Sequence, residues 1–242
     1  MIVGFDPSIT HYGWVLLDET KILQPNFPHK GSGTVSEGVL LVDSGTFKTD
    51  PSTGLLVQRL ILQRERVKKL LIDNSIRFVT MEAPLWHAMS TELLFALNQF
   101  IHEVFLNLNI FVLYVQPYGL KKAACPNMNP RDVTKNHVTD AAKSELGLHG
   151  RRFSEHLADA YFVGKIGCVF YNWYFTKKIH DNDLSPYLRD LFMGKHVYTK
   201  GKKKGITEYT GIIYKENEQF FDYSKQQIKT ESIIQGVLNA TT

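Results

Sequence analysis

The sequence predicts an α/β domain: a mixed, five-stranded sheet with helices on both faces, followed by a basic C-terminal extension that holds a β-hairpin. Three observations carry this expectation. Short strand-like runs, mostly apolar, recur five times within residues 1–115. The first three follow one another directly, whereas the later two alternate with long segments of helical period. A meander that passes into alternating strands and helices makes a mixed sheet, because parallel neighbours need a crossover, usually a helix.

Taken in order, Ile2-Val3-Gly4-Phe5-Asp6 and Gly13-Trp14-Val15-Leu16-Leu17-Asp18 read as two strands of a hairpin. The turn between them carries Pro7 and Ser8, and an acid closes the first strand. A Gly- and Pro-containing loop covers residues 24–37, and residues 38–47 read as a third strand. Residues 55–74 place Leu56, Leu60, Leu62, Val67, Leu70 and Leu71 on one helical stripe. Phe78-Val79-Thr80-Met81 is a short buried-type strand that ends at Glu82 and is stopped by Pro84.

Residues 91–108 form a second helix, whose Leu93, Leu94, Leu97, Phe100 and Ile101 suit either a core or a subunit interface. Residues 110–115 are a strand stopped at Pro117, and residues 136–146 and 154–174 are two further helices. The pattern changes near residue 181. Residues 195–205 are polar and basic, and residues 207–214 and 219–223 read as a hairpin. The expected division is a main domain at residues 1–180 and an extension at residues 181–242.

Composition narrows the function classes. The 242 residues are 43% hydrophobic and 21% charged, enough to bury a core and too apolar for a disordered chain. The longest apolar runs are too short to span a bilayer, so no membrane role is expected. No basic stretch leads into an apolar segment at the start, which points to a cytoplasmic protein without a signal peptide. Cys125 and Cys168 lack metal-ligand spacing and read as reduced structural thiols. Net charge is +4, compatible with nucleic acid as a partner. Residues 185–242 hold nine Lys/Arg against six Asp/Glu, with Lys200, Lys202, Lys203 and Lys204 clustered.

The chemistry lies in the acids. Asp6 and Glu82 each end a strand, where sites assemble in open α/β sheets. Asp159 lies near the start of a helix, and His156, three residues earlier, shares its face. Each alone has an ordinary explanation as a turn residue, a cap or a polar surface group. Together they suit phosphodiester hydrolysis, which two divalent ions roughly 3.5–4 Å apart can catalyse. Mg²⁺ takes hard oxygen ligands, so carboxylates must converge from separate elements.

The ordered set resembles the RuvC-like Holliday junction resolvases of the RNase H-like superfamily. Gly4-Phe5-Asp6-Pro7-Ser8 with Gly13-Trp14 looks like their first motif, and Ser44-Gly45-Thr46-Phe47 is similar to their third strand. Phe78-Val79-Thr80-Met81-Glu82 resembles the strand bearing the second acid, and His156-Leu157-Ala158-Asp159-Ala160 resembles the closing motif. The resemblance covers about residues 1–170. It implies an RNase H-like fold and a crossover junction endodeoxyribonuclease of DNA recombination and repair. It implies Asp6, Glu82, His156 and Asp159 as catalytic and metal-binding residues, with two Mg²⁺ (Mn²⁺ as substitute) per site.

The fourth position holds histidine here, a poorer Mg²⁺ partner than carboxylate, so His156 is either a ligand or an acid/base. Glu155 beside it is a candidate to share that role. Branched, four-way DNA is the implied partner and a homodimer the implied assembly. Lys121, Lys122, Lys135 and Lys200–Lys204 are candidate phosphate contacts, and Trp86 is a candidate wedge stacking on an unpaired base. The loop at residues 26–33 and the tail exceed the compact family pattern, and would not be out of place in a phage or viral member. A branched-DNA-binding protein with little or no catalysis is the alternative. An ATPase of the same fold would need a later Gly-rich phosphate loop, and none is present.

Overall fold

The computed structural model describes residues 1–21, 40–83 apart from 51 and 53, and 91–193 apart from 149. In the C-terminal segment it describes residues 195–197, 201, 204, 207–209, 211–215, 219–222 and 227–229. Strands β1 (Ile2–Asp6), β2 (His11–Leu17) and β3 (Leu41–Lys48) form the expected antiparallel meander. Helix α1 (Leu56–Asp73) crosses over to β4 (Phe78–Glu82), which pairs parallel with β1. Helix α2 (Thr91–Asn107) returns the chain to β5 (Phe111–Val115), parallel to β4. These five strands are the mixed sheet that the pattern predicts, in the order β3-β2-β1-β4-β5.

Alternation sorts the strands' side chains onto two faces. Val3, Phe5, Val79 and Met81 enter one core with Leu60, Val67 and Leu71 of α1 and Leu97, Ile101 and Phe105 of α2. Ile2, Phe78 and Leu113 enter the other core, beneath α5 (Glu155–Tyr174). The α2 stripe is therefore mainly core, with Leu97 and Ile101 fully buried and Leu93 exposed. Gln63, buried on α1, donates to the carbonyls of Ile9 at 3.2 Å and Phe47 at 3.1 Å, tying the first turn to β3.

Helix α5 lies closer to the sheet than side chains ordinarily permit, and glycine is the reason. A Cβ on Gly4 of β1 would come within 2.6 Å of the Gly164 backbone. A Cβ on Gly13 of β2 would stand 2.5 Å from the His156 carbonyl oxygen. Bare backbone on both sides lets the N-terminal half of α5 settle over β1 and β2. Ser154 caps the helix by accepting the Leu157 N–H at 3.3 Å.

The structure adds elements that the pattern does not show. Helix α3 (Pro117–Ala124) follows β5 directly, ahead of α4 (Lys135–Glu145), which is the helix expected at residues 136–146. Helix α6 (Pro186–Met193) packs Leu188, Leu191 and Phe192 into the α5-side core. Residues 207–214, expected as one strand, split in two. β7 (Thr207–Tyr209) pairs with β6 (Lys195–Val197), whereas β8 (Gly211–Lys215) pairs antiparallel with β5. β9 (Gln219–Asp222) and β10 (Gln227–Lys229) continue outward, so among the described residues the sheet has eight strands. Among the described residues, no helix is long and apolar enough to cross a membrane.

Candidate active site

Asp6 and Glu82 end adjacent parallel strands inside the sheet, so their carboxyls emerge side by side at the C-terminal ends of β1 and β4. Both lie on the α5 face, and the docking of α5 brings its first turn over them. There His156 Nδ1 lies 2.6 Å from Asp6 Oδ2. Asp6 is buried, whereas Glu82, His156 and Asp159 are half-buried. The structure thus brings Glu82 and His156 onto Asp6, with Asp159 one turn further along α5.

The electrostatics follow from that crowding. Burial, then the charge of Asp159, pushes the Asp6 carboxyl up to about 7. Burial and the adjoining Asp6 hold Glu82 well above the usual carboxylate range. The two acids share a hydrogen bond in which protonated Glu82 donates to Asp6. Burial raises Asp159 to about 6, and burial lowers His156. A neutral imidazole donating from Nδ1 to Asp6 leaves the Nε2 lone pair for another partner.

Lys135, at the start of α4, is exposed, and its ammonium is 2.7 Å from Glu155 Oε1. Its charge opposes the upward shifts of Asp6, Glu82 and Asp159, so it stands on the rim. Lys121 on α3 likewise lowers Asp159. Lys122 instead donates to the Pro126 carbonyl at 2.6 Å. Lys204 is exposed. Trp86, Lys200, Lys202 and Lys203 lie outside the described residues.

Sequence reasoning misses His11. Its ring lies parallel to that of His156, with centroids 5.8 Å apart and planes at 1°. Strand alternation is the signal that could have found it, because His11 is two residues from Gly13 and so shares the α5 face.

Among the described residues, no three His, Cys, Asp or Glu side chains stand around one point as metal ligands. Glu82 and His156 are turned onto Asp6 instead. The donor set nonetheless fits a hard cation. Burial and the neighbouring acids raise all three carboxyls, and the ammonium of Lys135 opposes that rise from the rim. A divalent ion would take the place of the carboxyls' protons.

No family model matches the chain, and no curated protein matches it by sequence. Solved structures do match. The Thermus thermophilus RuvC structure superposes with a TM-score of 0.52 at 21% identity, covering 71% of this chain and 95% of that one. The chain has the RuvC fold. A second match, T. thermophilus RuvC in complex with a Holliday junction substrate, has a TM-score of 0.52 at 19% identity. It covers 68% of this chain and 90% of that one. RuvC is matched over nearly its whole length, so this chain is a RuvC fold carrying added segments.

Proposed function

We propose that the chain is a metal-dependent, structure-selective DNA endonuclease that cuts four-way or other branched DNA. The observation that carries the reading is the meeting of Asp6, Glu82 and His156 from three separate elements at the C-terminal ends of β1 and β4, with Asp159 one turn along α5. RuvC in its junction complex has the same fold, which supports branched DNA as the substrate class.

Asp6, Glu82 and Asp159 would hold Mg²⁺ or Mn²⁺ through carboxylate oxygens, and His156 through Nε2 once its ring leaves Asp6. Bound divalent ions supply an activated water and charge stabilisation at the leaving oxygen. The rest is the work of the chain. Asp6, the most buried acid, fixes the floor of the site. Lys135 and Lys121 on the rim would pair with phosphates flanking the cut, giving salt-dependent affinity without base preference. Glu155 occupies Lys135 until a phosphate displaces it. Two chains in a homodimer would place two such sites on the two-fold symmetric junction.

The test is incision of a synthetic four-way junction with Mg²⁺ or Mn²⁺. Wild-type protein should cut, while Asp6→Asn and Glu82→Gln should lose activity on the order of 100-fold or more and still bind the junction. Cleavage that survives both substitutions contradicts the site. Tight binding in EDTA with no cleavage in any metal makes the chain a branched-DNA-binding protein instead.

A further inference from the structure

Helix α3 has two faces. Gly119, Leu120, Ala123 and Ala124 are buried, and Tyr118, Lys121 and Lys122 occupy the other face. Tyr118 is 60% exposed, on the first turn of the helix. An exposed tyrosine is ordinary on a protein surface; its place is what matters. Val115, three residues earlier, lies in register with Glu82 across β4 and β5. The Ala83 N–H, directly after Glu82, donates to the Val115 carbonyl at 2.8 Å. The root of α3 is therefore stitched to the strand end that carries the second acid. Lys121 lies one turn along from Tyr118 on the same outer face. That face begins three residues beyond Val115, the strand position paired with Glu82.

The helix is also held rigidly. The Tyr187 hydroxyl of α6 donates to the Gly119 carbonyl. A Cβ at Gly119 would stand 2.9 Å from Leu191 Cδ1, so α6 presses directly on the α3 backbone. Gly211 of β8 pairs with Val115 at the base of the helix. The C-terminal segment thereby fixes the platform on which Tyr118 sits, and a pre-ordered contact loses less entropy on binding.

We propose that Tyr118 is a base-stacking residue that engages an unpaired or splayed base of branched DNA, beside phosphates held by Lys121. The chemistry is that of single-strand recognition, in which an aromatic face and a neighbouring cation track base and backbone together. Intact duplex offers no free base face at its side, whereas the exchange point of a junction does. Tyr118 therefore contributes to structure selectivity rather than to general DNA affinity. The inference rests on the reading of the chain as a branched-DNA nuclease.

The experiment uses the full chain in EDTA, a four-way junction with 2-aminopurine at the exchange point, and a duplex of equal length, at one fixed salt concentration. Wild type should prefer the junction and change the 2-aminopurine emission. Tyr118→Ala should bind the junction roughly tenfold more weakly, with a diminished emission change and unaltered duplex affinity. Tyr118→Trp should retain both properties. Unchanged thermal melting shows that the exposed position has not affected folding. If wild type prefers the junction and Tyr118→Ala matches it in affinity and emission, the stacking role is wrong while the nuclease reading stands. If wild type shows no preference for the junction, the reading beneath it falls, and this inference with it.

Discussion

At the scale of single residues, the site is a problem of misplaced protons. Asp6 at about 7 and Asp159 at about 6 are carboxyls whose ordinary value is 3.8. The folded protein binds these protons more tightly than the unfolded chain does. Their contribution to stability is fully present below about pH 4, and is lost as pH rises through about 6 and 7. Urea unfolding without divalent ions should therefore show falling stability from pH 5 to pH 7.5. Saturating Mn²⁺ should flatten that slope, because the ion replaces the protons. A pH slope unaffected by Mn²⁺ contradicts the proposed metal site. The acids were legible in the sequence because strand ends and a helix start are local features. The Lys135–Glu155 pair was not, because it depends on how α4 and α5 lie together.

At the scale of elements, the decisive contact is α5 against β1 and β2. It places His156 over Asp6, and it exists because Gly4 faces Gly164 and Gly13 faces His156. A Gly4→Ala substitution must push α5 outward, since the neighbours are backbone atoms that cannot rotate away. The expected destabilisation is about 1–3 kcal/mol, the usual cost of overpacking. Junction cleavage should fall further than the folded fraction, because His156 and Asp159 retreat from Asp6. Chemical denaturation alongside a cleavage assay separates the two effects, and full activity in folded Gly4→Ala contradicts the close-docking account. The long helices were legible from their periodicity. Helices α3 and α6 were missed for one reason: each is eight residues long and starts with a proline. Pro117, coming after a strand, reads as a stop, yet a proline's fixed φ also suits the first position of a helix.

At the scale of the whole molecule, three C-terminal strands lengthen the sheet, and α6 braces α3. The pairing of β8 with β5 joins residues about a hundred positions apart. Local sequence shows a hairpin but not the edge it joins. The proposed paired incision of a junction also needs two sites at once. Sedimentation should give twice the 27.7 kDa chain mass, with or without DNA. A chain that stays monomeric on the junction and still makes both cuts would remove the need for a homodimer. The central claim is narrower: Asp6 is the hub of a divalent-metal site. Anomalous diffraction from Mn²⁺-soaked crystals tests it most directly. Peaks coordinated by Asp6, Glu82 and Asp159, with the His156 ring swung off Asp6, are the predicted result. A Mn²⁺-saturated crystal with no peak there, and with the bond between His156 and Asp6 intact, contradicts it.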